Sequence, residues 1–364
     1  MTRKRMGFSL LSVLMVLGLL LGGCGGAKET PAPAPAKETP APAATPAPAP
    51  APAPAKVTGK LVIYTSIYPD IIKLVEPEIK KAFPDLTVEW FQSGTEKVVA
   101  KLAGEIEANK VGADVLMVAD PSYYIYLKDK GLLMPYKSKE FDKVVMDKDT
   151  KDAMYTAVRI SNVIIAYNTK AVKPEDAPKS FKDLTDPKWK GQIALVDPTQ
   201  SGTALVSSWA LSKKYGWEFF QQLKANGAVV AGGNSAVEQK LVTGEFKVGV
   251  ILEENILKVR SKGEPVDFVY PADGTIIIPS PIGIFKSTQN PDAAKALTDW
   301  WLSVEGQKAV TTGWMHSVRA DVASPKGAKA LADFSKTAMP VDWNDLAKNQ
   351  GAIKDQFVKI MSAK

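Results

Sequence analysis

The sequence predicts an α/β protein, long enough for two lobes, with a ligand site in the polar loops that follow its strands. Three observations carry that expectation. Short apolar runs alternate with helical stretches in two successive series, the pattern of a largely parallel sheet with right-handed crossovers. The apolar runs end in short polar loops, and ligands of such sheets bind outside the carboxyl ends of the strands. Residues 57–364 also have ordinary globular composition and are long enough for two lobes, unlike the first 56 residues of this 364-residue chain.

Composition narrows the function classes. The formal charge of +7 includes Arg3, Lys4 and Arg5, and loss of the leader leaves +4, too mildly basic for nucleic acid to be the main partner. No dense Lys/Arg run with interleaved aromatics occurs. A single cysteine excludes intramolecular disulfides and cysteine-based zinc sites, and a single histidine excludes multi-histidine metal sites.

Taken in chain order, residues 1–24 read as an export leader. Arg3–Arg5 form a positive start, and Met6–Leu21 is an uncharged apolar run of sixteen residues. That is short of the roughly 20 residues a membrane span needs and fits a signal peptide. It ends Leu21-Gly22-Gly23-Cys24, which resembles the bacterial lipobox, with the Cys24 thiol as the group to be lipidated. Residues 25–56 follow as a Pro/Ala tether holding ten of the 26 prolines, with Lys-Glu-Thr-Pro at 28–31 and again at 37–40. Alternating Pro and Ala favours polyproline II and offers nothing to pack.

Lys60–Thr65 reads as the first strand and leads through Ser66, Tyr68 and Asp70 into a helix from Ile71 to Phe83, stopped by Pro84. Leu86–Phe91 is the second strand, and Ser93-Gly94-Thr95-Glu96 opens the next helix with Ser or Thr as its cap. Ala113–Val118 is the third, ending in Asp120-Pro121-Ser122. A second series begins at Val163–Tyr167 and continues with Ile193–Val196, the loop 197–203 and its helix, Gly227–Ala231 and the loop 232–235, then Val248–Leu252 ending in Glu253-Glu254-Asn255. Thr275–Ile278 and Ile282–Phe285 read as two strands returning to the first lobe, and Pro291–Val310 as one amphipathic helix.

The order of "LVIYTS", "GADVLMVAD", "ADPSYYIYLKDKGLLMPY", "YNTK", "DPKWKGQIALVDPTQSGTA", "GGNSAVEQKLVTGE" and "KSTQNPDAAKALTDWWLSVEGQ" resembles an extracellular substrate-binding protein of an ABC importer. The branch is the one containing ferric-ion, 2-aminoethylphosphonate and sugar-phosphate binders, and the resemblance spans nearly all of residues 57–330. It implies the type II periplasmic-binding-protein fold with the ligand in the interlobe cleft. Lobe 1 would be 57–160 and 276–318, and lobe 2 would be 161–275 and 319–364. It further implies a monomer without cofactor or enzymatic activity, lipid-anchored on the extracytoplasmic side, whose partners are a small anionic solute and the permease subunits.

Two ligand classes divide the branch. Ferric binders use adjacent tyrosines at positions that here carry Glu254 and Asn255, which weakens the iron reading. The anion features are retained. Ser201-Gly202-Thr203 and Asn234-Ser235 match the family's anion-holding positions, and Ser93-Gly94-Thr95 supplies a third small polar loop before a helix. Free N–H groups and the positive dipole end at such starts favour an anion. The expected ligand-binding set is Thr65, Ser66, Tyr68, Ser93, Gly94, Thr95, Asp120, Ser201, Gly202, Thr203, Asn234, Ser235, Glu253 and Glu254, with no metal ligand. Arg159 is an open candidate, either pairing with the anion or lying on the surface, and Tyr123, Tyr124 and Tyr126 on one helix are expected to be packing and surface contacts. The expected cargo is therefore a small phosphorylated or phosphonate anion. The alternatives are ferric ion with a synergistic anion, a ligand-sensing domain, and an extracytoplasmic hydrolase. The last is disfavoured by the lack of a Ser-x-x-Lys motif or a histidine pair.

The lone cysteine makes the anchor testable. Cys24→Ser should release soluble protein or leave an unprocessed precursor, read by fractionating membranes and blotting for the protein. A variant processed and membrane-bound like the parent would reject lipidation.

Overall fold

A strand whose side chains are apolar on both sides must be covered on both faces. In the computed structural model, which describes residues 56–363, the apolar runs assemble into one mixed sheet flanked by helices. The leader, Cys24 and all but the last residue of the tether lie outside the described residues.

In chain order the strands are β1 (Gly59–Thr65), β2 (Leu86–Gln92), β3 (Val115–Met117), β4 (Leu133–Met134), β5 (Thr156–Asn168), β6 (Ile193–Leu195), β7 (Val229–Val230), β8 (Val248–Leu252), β9 (Val266–Val269) and β10 (Ile276–Phe285). The helices are α1 (Pro69–Ala82), α2 (Thr95–Glu107), α3 (Pro121–Asp129), α4 (Gly202–Tyr215), α5 (Glu218–Ala225), α6 (Asn234–Val242), α7 (Glu253–Arg260), α8 (Pro291–Leu302), α9 (Val304–Thr312), α10 (Leu331–Phe334) and α11 (Trp343–Met361).

The strand order is β2-β1-β3-β10-β5-β8-β6-β7. Parallel pairing holds β2, β1 and β3 together on one side and β8, β6 and β7 on the other. The antiparallel pair β5–β10 joins the two halves. Every residue of both these strands is buried. In the first half, Leu61, Ile63 and Met117 pack under α1 and α8, while Tyr64, Leu116 and Val118 pack under α2 and α3. In the second, Val163, Ile165 and Leu195 face α4, α5 and α11, and Ile164, Ala166 and Ala194 face α6 and α7.

Three expectations need correction. The strand expected at 163–167 is the end of a longer one, since β5 begins at Thr156 and runs through both halves. The strands expected at 275–278 and 282–285 are one strand, β10, which keeps Pro279 and Pro281 by shifting register between Ser280 and Pro281. From 276 to 282 its one strand partner among the described residues is β5, so a missing N–H need not break a ladder on both sides. The helix expected at 291–310 is two, because Ser303 ends α8 and caps α9, its Oγ accepting from Gly306 N at 3.1 Å. A Cβ at Gly306 would lie 2.0 Å from Trp300 O, so the turn itself requires glycine.

The last helix ties the halves together. Asp342 caps α11, and Leu346, Ile353, Phe357, Ile360 and Met361 enter the core of the second half. From the same helix Gln350 donates to Asp120 Oδ2 (3.0 Å) and Ser122 Oγ (2.7 Å), and Lys354 to Glu96 Oε2 (2.8 Å), all in the first half. Phe357 stacks edge-on with Phe220. Phe357→Ala should cost about 3–5 kcal/mol, read as a lower urea midpoint. A loss under about 1 kcal/mol would mean that α11 is not part of that core.

Candidate functional site

Each strand of a parallel set delivers its chain to the same end of that set, and the antiparallel steps through β10 and β5 turn the two sets against each other, so the loops after β1 and β2 face those after β6, β7 and β8. They enclose a cavity of about 410 Å³. Ser66 and Tyr68 follow β1, and Ser93, Gly94 and Thr95 follow β2. From the second half come Ser201 and Thr203 before and within α4, Asn234 and Ser235 at the start of α6, and Glu254 at the start of α7.

Three helix N-termini, of α2, α4 and α6, open on this space. Their first-turn N–H groups lack intrahelical acceptors, and their dipoles place partial positive charge there. Ser201 caps α4, its Oγ accepting from Ala204 N at 3.4 Å. The caps of α2 and α6 are instead Gly94 and Gly233, without a side-chain cap, which corrects the expectation of a Ser or Thr cap on α2. At Gly94 the reason is proximity: a Cβ would lie 2.7 Å from Gln200 O of the opposite half. Gly202 is similar, its Cβ falling 2.7 Å from Thr95 Cγ2 and 2.9 Å from Ala119 O. The two halves touch where side chains are absent.

Polar side chains around the cavity are held by one another. Ser201 Oγ and Thr203 Oγ1 lie 2.9 Å apart, and Asn234 Nδ2 donates to them at 3.1 and 3.2 Å. Across the cavity, Tyr68 OH donates to Asn255 Oδ1 at 3.1 Å, and burial pushes its phenol pKa upward. Glu254 is buried, and its Oε1 accepts from Ser161 Oγ at 2.8 Å. Burial raises its pKa, with Ser161 and Arg159 opposing.

The description of the bacterial extracellular solute-binding protein family matches residues 111–349. The chain belongs to that family. This solute-binding protein is 26% identical over 255 residues to a probable ABC transporter periplasmic-binding protein of Sinorhizobium fredii, covering 66% of this chain and 70% of the relative. It is also 26% identical over 232 residues to the major ferric iron-binding protein of Neisseria meningitidis, covering 58% and 67%. Its fold is similar, at a TM-score of 0.75 and 24% identity, to the periplasmic binding protein AfuA of Actinobacillus pleuropneumoniae with exogenous fructose-6-phosphate bound, over 84% of this chain and 99% of that one. The fold is that of the type II periplasmic binding proteins. The family is one of solute-binding proteins, and the Sinorhizobium relative is named as a probable periplasmic-binding component of an ABC transporter.

Of the residues expected at the site, Ser66, Tyr68, Ser93, Gly94, Thr95, Ser201, Thr203, Asn234, Ser235 and Glu254 line the cavity, and Thr65, Asp120, Gly202 and Glu253 do not. Thr65 braces the turn after β1, donating to Met117 O at 2.9 Å and accepting from Ile67 N at 3.0 Å. Gly202 serves the seam. Glu253 is turned behind the cavity, where Asn162 Nδ2 donates to it at 3.0 Å, His316 Nε2 lies 3.0 Å away and Tyr270 OH donates to it. Tyr124 packs as expected, fully buried and donating to Pro281 O at 2.7 Å.

Sequence reasoning left Arg159 undecided, and the structure places it on the cavity, 3% exposed. The available signal was the one charged residue in the stretch 156–168. Gln92, Lys97 and Gln200 also line the cavity and carried no distinguishing pattern.

Asp120 caps α3, accepting from Ser122 N at 2.9 Å, and is 0% exposed. Burial, with a smaller contribution from Glu96, pushes its carboxyl from 3.8 up to about 6. The folded protein therefore holds this proton more tightly than the unfolded chain. The stabilisation is complete below about pH 4 and is lost as pH rises through about 6, on the order of 3 kcal/mol in all. Asp120→Asn should flatten stability over that window, measured as urea midpoints at pH 4.5 and 7. Parallel profiles for parent and variant would show that Asp120 ionises without this penalty.

Proposed function

We propose that this solute-binding protein captures a small phosphorylated or phosphonate organic anion outside the cytoplasm, anchored through Cys24, and delivers it to the permease of an ABC importer. The observation that carries the reading is the meeting of three helix N-termini on one cavity, with Ser201, Thr203 and Asn234 linked at the focus of two of them. A phosphoryl oxygen takes several N–H and hydroxyl donors at once, and charge-assisted bonds of this kind are about twice as strong as neutral ones. Glu254, on the same cavity, accepts from the remainder of the molecule, an amine as in 2-aminoethylphosphonate or hydroxyls as in a sugar phosphate. The domain arrangement proposed from the sequence lets the lobes close over this ligand by a hinge.

The name of the Neisseria relative supports a second reading, ferric ion with a synergistic anion. The donor set argues against it. The lining offers one phenol, Tyr68, and one carboxylate, Glu254. Burial holds that phenol in its protonated form, so a hard cation would have to displace its proton.

Calorimetry with inorganic phosphate, glucose 6-phosphate, 2-aminoethylphosphonate and ferric citrate separates the two. Ser201→Ala with Thr203→Ala should weaken all phosphorus compounds alike, by roughly tenfold to a hundredfold. Glu254→Gln should change which compound is preferred. Tight ferric binding with no response to any phosphorus compound would overturn the anion reading and leave the iron one.

A further inference from the structure

Arg159 carries a charge for which the cavity wall supplies no direct partner. Its side chain is 3% exposed, yet among the described residues no carboxylate lies within ion-pair distance of it. Its donors meet neutral atoms instead: Nη2 reaches Ser66 Oγ at 3.2 Å, and Nη1 reaches Ser161 Oγ and Met315 Sδ, both at 3.4 Å. The Nε–H has no partner. A guanidinium has five N–H donors, and a buried charge costs several kcal/mol unless paired. Glu254 is the carboxylate nearest in the network, but Ser161 stands between them, giving its proton to Glu254 Oε1 at 2.8 Å and turning its oxygen towards Arg159. Both charged groups line the same cavity.

We propose that Arg159 is a ligand-binding residue whose guanidinium is the fixed counter-ion of the captured anion, and that Ser161 keeps it from closing on Glu254. This inference rests on the anion reading of the cleft and adds the charge that the helix termini cannot supply. The strand β5 makes Arg159 rigid, because its backbone pairs with β10, Ser280 standing opposite. Ser66 and Ser161 fix the fork from two directions. An anion in the cavity meets an oriented cation already stripped of water, so little reorganisation opposes binding. Arg159 and Glu254 present opposite charges one hydroxyl apart, which suits a ligand bearing an anionic group and, beside it, an amine or hydroxyl.

The test compares Arg159→Met and Arg159→Lys with the parent in the full chain, using inorganic phosphate and 2-aminoethylphosphonate as calorimetric probes and the urea midpoint of the ligand-free protein as a second readout. Arg159→Met should weaken both probes roughly tenfold to a hundredfold. Arg159→Lys, which keeps the charge and loses the fork, should recover part of that loss at an unchanged ligand-free midpoint. Parent-like binding by Arg159→Met, while Ser201→Ala with Thr203→Ala loses it, would overturn this inference and leave the anion reading standing. So would a ligand-free midpoint that falls equally in both Arg159 variants, since that marks a structural role. A parent that binds neither of these probes nor glucose 6-phosphate would overturn both.

Discussion

The pairing of β5 with β10 is the constraint on which the site depends. Two long strands run side by side through the middle of the sheet, and each is buried along its whole length. A third segment joins them where Ile160 and His316 exchange backbone hydrogen bonds at 3.0 Å. Burial on this scale favours apolar side chains, yet this stretch of β5 carries Arg159, Ser161 and Asn162. Each is costly to bury unless bonded. Their bonds reach to Ser66, to Glu254 and to Glu253, one in the first half and two in the second, and leave part of the Arg159 guanidinium unpartnered. The polar residues of the connecting strands thereby fix the distance between the loops that face one another.

Contacts between the halves are of unequal weight. Lys258 reaches Asp70 at 3.4 Å, but with Asp70 half exposed this pair contributes little. Tyr68 to Asn255, and Gln350 to Asp120, are more sheltered and oblige specific partners to meet. Packing sets the limit of approach. At Gly94 and Gly202 backbone from one half meets the other with no room for a Cβ, so these contacts fix how near the helix termini can come to a shared ligand.

Much of the fold was legible because the apolar runs of β1, β3, β6 and β8 are short, uninterrupted and separated by helical stretches. What escaped were features without a local pattern. Pro279 and Pro281 read as a break and are carried inside one strand, which among the described residues pairs there with β5 alone. Ser303 looks like any helix residue until the approach of Gly306 to Trp300 is known. At the site, polar loops after strands were the right places to look, and most of the expected residues share one cavity. Asp120 and Glu253 occupy equivalent loop positions but turn the other way, and one-dimensional spacing does not encode that turn. Gln350 and Lys354 lie far along the chain on an amphipathic helix, with nothing to mark them as partners of Asp120 and Glu96.

The route of the chain has a kinetic consequence. The core begun by β1 waits for Leu297 and Trp301 of α8, and the core begun by β5 waits for Phe357 and Ile360 of α11. Neither half can complete itself from the segment that starts it, and both require contacts between residues far apart in sequence. Closing such loops costs entropy before any burial repays it, which slows folding. A polypeptide emerging from one end can finish neither core until its late helices arrive.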